Sequence, residues 1–181
     1  HAGAIGHLAG LGVTGDFILT VGTIQPRKNL NRLLQAYARA RPDLPEPWPL
    51  VVVGAQGWVE SLPPVEGVVL AGSPSDAVLA ALYAQARALA YVPLAEGFGW
   101  PPVEAMHAGL PVLASPLPST GTSALTVDPL DVEAIAAGLL TVTSDDDARA
   151  DLVERGRAHA AGMTWADAAR RHVEVWEDAA R

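Results

Sequence analysis

The stretch Glu96-Gly97-Phe98-Gly99-Trp100-Pro101-Pro102-Val103-Glu104 sets two carboxylates eight positions apart, across a Gly-aromatic-Gly turn and a Pro-Pro pair. An ionised carboxylate accepts hydrogen bonds from two hydroxyls at once, so such a pair suits a polyhydroxylated ligand. Gly97 and Gly99 let backbone N–H groups come close to a bound molecule, and Pro101 or Pro102 fits a first helical turn. Glu96 is expected on a loop over a crevice, and Glu104 in the first turn of the helix that follows. Each residue taken alone has a plainer role: a first-turn Glu caps free amides, and a loop Glu is ordinarily just solvated. Upstream, Arg27 and Lys28 stand immediately before another helix pattern. Two cations beside helix amides form an anion site suited to a diphosphate, although alone they read as exposed surface bases.

Other chemistries find little footing. No Gly-x(4)-Gly-Lys-Ser/Thr and no Gly-x-Gly-x-x-Gly opens a helix, which removes support for ATPase and dinucleotide readings. The five histidines, His1, His7, His107, His159 and His172, lack metal-ligand spacing, and His107 reads as a helix-surface or packing residue. No nucleophile elbow is present, and no metal site is expected.

Composition narrows the class. The chain has 181 residues, 50% of them apolar, enough for one well-packed domain. Twenty acids against twelve bases leave a net charge of −8, and without a basic stripe a nucleic-acid partner is not expected. With no cysteine there are neither disulfides nor thiolate metal sites. No apolar run reaches the ~20 residues of a membrane span. His1-Ala2-Gly3 makes an abrupt start, read as that of a piece excised from a larger protein.

The elements that must carry these residues alternate between short apolar strands and amphipathic helices, the pattern of a parallel sheet covered on both faces. Strands are expected over residues 17–21, 50–53, 68–70, 88–92, 110–114 and 124–127. Residues 1–15, rich in Gly and Ala, read as a linker, and 56–67 as irregular. Leu30, Leu33, Leu34, Tyr37 and Ala38 keep a helix spacing up to Pro42. Ser73-Pro74-Ser75-Asp76 carries a capping-box pattern for a helix with Val78, Leu79, Leu82 and Tyr83 on one face. Gly109 ends the helix of the two glutamates, and residues 131–140 read as another helix. Residues 145–181 read as two helices broken around Gly162, with Asp145 a solvated cap and Trp165 and Trp176 as apolar anchors. Both charged stretches then follow strand ends, where an open α/β sheet places its ligand crevice.

The string from Glu96 to Glu104, continuing through Ala105-Met106-His107-Ala108-Gly109-Leu110-Pro111-Val112, resembles the E-x(7)-E signature of retaining glycosyltransferases of GT-B architecture. Val21-Gly22-Thr23-Ile24-Gln25-Pro26-Arg27-Lys28-Asn29-Leu30 resembles the same family's strand-loop-helix segment, whose basic residues meet the donor diphosphate. Gly72 with Asp76, Leu82-Tyr83 and Val127-Asp128-Pro129 fall in the family's order, so the likeness runs from Asp16 onward. It implies a Rossmann-like α/β domain over residues 16–181 and the donor-binding half of a two-domain enzyme. In that reading Arg27 and Lys28 neutralise the diphosphate, and Glu96 orients the sugar with the amides of Gly97, Phe98 and Gly99. Glu104 takes the ribose, and Gly22, Thr23, Thr120 and Gly121 contribute to the donor site, the last two only weakly. The donor is a nucleoside-diphosphate sugar, with a leaning to GDP-mannose, and no cofactor or metal is required. The implied partners are the sugar nucleotide and an absent acceptor-binding domain, with a cytoplasmic location at the inner face of the membrane.

Three departures stand out: Gln25 where relatives carry Glu, no Ser in Val92-Pro93-Leu94-Ala95, and Leu117-Pro118-Ser119-Thr120-Gly121-Thr122-Ser123 in place of a Leu-Pro-Glu segment. Trp100, often aliphatic in the family, is expected to pack in the core. The rival from another class is a nucleotide-sugar-binding or regulatory module without transferase activity. An epimerase or phosphorylase of like architecture is a third option, but Lys28 is the only lysine and nothing marks it as a cofactor anchor.

Overall fold

Runs of Val, Leu, Ile and Ala too short for helices make the sheet. In the computed structural model, which describes residues 6, 8–57 and 62–181, they form β1 (Ile18–Val21), β2 (Leu50–Val53), β3 (Val68–Gly72), β4 (Ala88–Tyr91), β5 (Val112–Ala114) and β6 (Leu125–Thr126). All pairings are parallel, in the order β3-β2-β1-β4-β5-β6. Neighbouring residues face opposite layers. Leu19 and Val51 belong to one core and Ile18, Leu50 and Val52 to the other, which is why β1, β2 and β4 read as continuous apolar runs.

Helices cover both faces: α1 (Leu30–Ala40), α2 (Asp76–Gln85), α3 (Trp100–Ala108), α4 (Val132–Ser144), α5 (Asp146–Ala161) and α6 (Trp165–Ala179). α1 and α4 supply one core layer, while α2 and α3 supply the other, with Ala160 of α5 against it. The chain reverses direction across the sheet between β1 and β4, the one place where consecutive loops splay apart and leave a crevice.

Several expectations need correction. The buried stripe of α1 is Leu30, Leu33, Leu34, Ala36, Tyr37 and Ala40; Ala38 is exposed, because at 3.6 residues per turn it lies about a third of a turn round the helix from the centre of that stripe. Ser75 is the N-cap of α2, but its side chain makes no capping bond. Asp145 does cap, accepting from the amide of Ala148 at 3.0 Å. Trp165 and Trp176 are not buried anchors, being 86% and 66% exposed on a helix with no buried residue. Leu8 and Val13, inside the stretch read as a linker, are buried in the core. The rest of that reading at residues 1–5 and 7, with His1 and His7, lies outside the described residues, as do positions 58–61 of the irregular stretch.

Candidate functional site

The loop after β1 begins with a close backbone approach. A Cβ on Gly54, at the end of β2, would lie 2.1 Å from the carbonyl oxygen of Gly22, so only glycine lets the two strand ends meet there. Gly22 in turn lies under the Lys28 stem: a Cβ there would stand 3.1 Å from Lys28 Cε. Gly22 and Thr23 are both half-buried. The chain then forms a 3-10 turn, Pro26–Lys28, and passes through Asn29 in the left-handed conformation at φ 58° before α1 starts. Asn29 is buried and donates its side-chain amide to the carbonyls of Val92 at 3.0 Å and Pro129 at 2.7 Å. The amide of Leu94 donates to the carbonyl of Arg27 at 2.8 Å. These bonds join the loop after β1 to the loop after β4 across the switch point.

That junction brings the cations and the first carboxylate together. Arg27 Nη1 donates to Glu96 Oε1 at 2.8 Å, Lys28 Nζ donates to Oε2, and the Gly97 amide donates to Oε1 at 3.1 Å. Tyr91, the last residue of β4, donates to Oε2 at 2.5 Å and accepts from Lys28 Nζ at 2.7 Å. The side chains of Lys28 and Glu96 are 11% and 12% exposed, whereas Arg27 is 45% exposed and reaches into solvent. Burial alone raises the pKa of Glu96, but the hydrogen bonds from Lys28, Tyr91, Arg27 and the Gly97 amide outweigh it and lower the value from 4.5 to about 2. Glu96 is therefore a carboxylate at any physiological pH. Burial, then the hydrogen bond and charge of Glu96, push the Tyr91 phenol up, so it stays a protonated donor.

Glu104 is placed differently. It lies beyond the first turn of α3, so it neither caps the helix nor meets its free amides. Instead Tyr83, on α2, donates to its Oε2 at 2.8 Å, and the rest of the residue is exposed. Gly99 begins α3 at φ 90° without a side-chain cap, and α1 likewise starts without one. Two helix N-termini without a side-chain cap thus flank the cations, although Pro101 and Pro102 leave α3 fewer free amides than α1, and the crevice is suited to an anion. Gly97 is exposed, and a Cβ on it would meet nothing, so the chain itself has no need of glycine there.

The segment after β5 packs against the Gly99 turn and α5. Thr120 is 1% exposed and donates its hydroxyl to the carbonyl of Leu117 at 3.0 Å, so that hydroxyl is engaged within its own loop. Gly121 is exposed and faces the ring of His159 on α5. The neighbour that matters is Ser119, buried and donating to the carbonyl of Gly99 at 3.0 Å, where it braces the turn. Trp100 is also corrected: it is 52% exposed, its ring 4.8 Å from that of Phe98. Tyr91, Tyr83, Asn29 and Ser119 were not legible as site residues, because a polar tip on an apolar strand or helix face shows its purpose only once its partner is in place. Among the described residues no His, Asp or Glu cluster is placed to hold a metal ion, and no helix is long and apolar enough to cross a membrane.

A family model described as "Glycosyl transferases group 1" matches residues 10–159. This chain belongs to that family. The O-antigen chain mannosyltransferase B of Escherichia coli is 34% identical over 173 residues, 89% of this chain and 45% of its own length. The MMP alpha-(1->4)-mannosyltransferase of Mycolicibacterium hassiacum is 33% identical over 167 residues, 85% of this chain and 41% of its own. The chain thus spans less than half of either relative. Among solved structures, an alpha,alpha-trehalose-phosphate synthase from Burkholderia vietnamiensis superposes with a TM-score of 0.81 over 98% of this chain and 48% of that one, at 14% identity. Such neighbours share the fold: a Rossmann-like half of a GT-B glycosyltransferase.

Proposed function

We propose that this group 1 glycosyl transferase chain binds a nucleoside-diphosphate sugar and forms the donor half of a retaining hexosyltransferase. The observation that carries the reading is the convergence of Arg27, Lys28 and Glu96 at the switch point of the sheet, between two uncapped helix N-termini. With the donor bound, its diphosphate replaces Glu96 as counter-ion of the two cations. Arg27 and Lys28 then stabilise the charge that grows on the leaving diphosphate as the glycosidic bond loosens. Glu96, released from part of its pairing, turns to the sugar hydroxyls with the amides of Gly97, Phe98 and Gly99. Glu104 offers its open oxygen to the ribose. The acceptor hydroxyl attacks from the leaving-group face and gives its proton to a donor phosphate oxygen, which retains the configuration. Charge neutralisation by side chains and helix amides leaves no step that calls for a metal.

GDP-mannose is the donor favoured, since mannosyltransferases are among the relatives and the Arg27-Lys28 segment has the style of enzymes using that donor. A carbohydrate or lipid acceptor belongs to a second domain, consistent with the chain covering 45% of a relative that builds O-antigen chains, and that domain would carry any contact with the inner face of the membrane. A thermal-shift panel of GDP, UDP and ADP with their sugar conjugates tests the reading. Stabilisation by GDP and GDP-mannose is expected; no response to any nucleotide overturns it. Binding by this chain together with no donor hydrolysis by the full-length enzyme would favour a non-catalytic module instead.

A further inference from the structure

Each of the two signature carboxylates leans on a buried phenol. Tyr91 is 3% exposed and Tyr83 is 4% exposed, and their rings are part of one core layer. Only the hydroxyls emerge, one from the end of β4 and one from α2, and each donates to a glutamate Oε2. Phenylalanine would fill the same core space, so the hydroxyl is the part of each side chain that packing does not explain. A tyrosine tip has two soft torsions, both held by the core, whereas a glutamate has three. A bond from the first to the second therefore passes the rigidity of the core to a carboxylate at the rim.

The two carboxylates are left in different states. On Glu104, Oε2 takes the Tyr83 hydroxyl, and its side chain makes no other hydrogen bond among the described residues, so Oε1 is open. On Glu96 both oxygens are engaged, and Tyr91 touches both members of the Lys28–Glu96 pair, with the ammonium also 5.0 Å from the centre of its ring. The Tyr91 hydroxyl stands 2.7 Å from Lys28 Nζ and 2.5 Å from Glu96 Oε2. It is the one neutral group that keeps the cation and the carboxylate at a set spacing.

We infer that Tyr91 and Tyr83 are positioning residues with separate targets: Tyr91 holds Glu96 relative to Lys28 and so sets recognition of the sugar, while Tyr83 aims Glu104 and so sets recognition of the ribose. This rests on the donor-binding reading above. Neither tyrosine touches the ligand in this scheme, and each acts through its glutamate.

The test uses the 181-residue chain and calorimetry with three probes: GDP, 2′-deoxy-GDP and GDP-mannose. Two ratios are read, GDP-mannose over GDP and GDP over 2′-deoxy-GDP, for the parent, Tyr91→Phe and Tyr83→Phe. Loss of one hydrogen bond to a charged group corresponds to roughly a tenfold change. Tyr91→Phe is expected to lower the first ratio by about that factor and leave the second as in the parent; Tyr83→Phe is expected to do the reverse. A merely structural role lowers the melting temperature and weakens all three probes alike, leaving both ratios unmoved, and that result overturns the inference. So does either variant shifting both ratios equally. A parent chain that ignores the sugar and the 2′-hydroxyl overturns the donor-binding reading itself, and is told apart because it shows before any variant is made.

Discussion

Glu96 and Glu104 belong to one nine-residue string, yet their surroundings are opposites. Glu96 lies where two loops meet, receives bonds from Arg27, Lys28, Tyr91 and the Gly97 amide, and is 12% exposed at its side chain. Glu104 stands on the solvent side of α3 with the single phenol of Tyr83. One carboxylate serves in the ligand-free site as the counter-ion of two cations; the other is held by one oxygen and keeps the second free. Motif membership therefore does not assign a role. Which neighbouring strand ends beside the residue does, and β1 ends beside Glu96 whereas α2 packs beside Glu104.

The comparison is broken most sharply at Lys28. Lys28→Ala removes the buried partner of Glu96 and is expected to weaken GDP by about ten- to a hundredfold, the ~1.5–3 kcal/mol of a charged hydrogen bond. Guanosine binding should hardly change. Equal losses for both ligands in calorimetry would make Lys28 a structural residue.

Next come the glutamates themselves, each expected to change affinity by ~1–2 kcal/mol. Glu96→Gln should weaken GDP-mannose while GDP holds or tightens, because Arg27 and Lys28 lose an internal competitor. Glu104→Gln should weaken both ligands alike, with the melting temperature nearly unmoved, since the residue is no cap. If Glu104→Gln still separates GDP from 2′-deoxy-GDP as the parent does, the contrast drawn here between sugar and ribose fails.

Acid offers a way to sharpen the same contrast. The folded-state pKa of Glu96 is lowered, so its contribution to stability is fully present above 4.5 and is lost as the pH falls towards about 2. Carboxyl NMR of the folded chain should show Glu96 still ionised at pH 4, where an ordinary glutamate is largely protonated. A Glu96 titration near 4.5 would mean that its bonds to Lys28, Tyr91 and Arg27 are not formed in solution. At the alkaline end all three tyrosines, Tyr37, Tyr83 and Tyr91, are raised above 10.0, burial being the first cause in each. Ultraviolet absorbance at pH 10 should show tyrosinate only after the chain is unfolded.

The smallest effect is expected away from both glutamates. Trp165→Ser alters a side chain that is 86% exposed, so the melting temperature and GDP binding of this chain should stay as they are. A clear drop in melting temperature would place that indole in a packed environment in solution.

The sequence by itself determined the layers and the motif. Apolar runs of strand length between amphipathic helices leave a parallel sheet with two covered faces as the packing that buries both sides, and all six strands fall where the pattern puts them. The same pattern put Arg27, Lys28 and Glu96 at strand ends, so their meeting was legible. Tertiary structure alone decided the partners. Tyr91 lies in a run, Ala88–Tyr91, that reads as pure core, and Tyr83 on a face that reads as apolar, because hydrophobic periodicity records where a side chain points and not where its tip ends. Ser119 and Thr120 are adjacent and alike in sequence, yet the fold turns one hydroxyl to the carbonyl of Gly99 and the other back to Leu117. Trp165 shows the converse: its periodicity promises burial, but a helix buries an apolar stripe only where another surface packs tightly against it, and Trp165 is left 86% exposed on a helix with no buried residue.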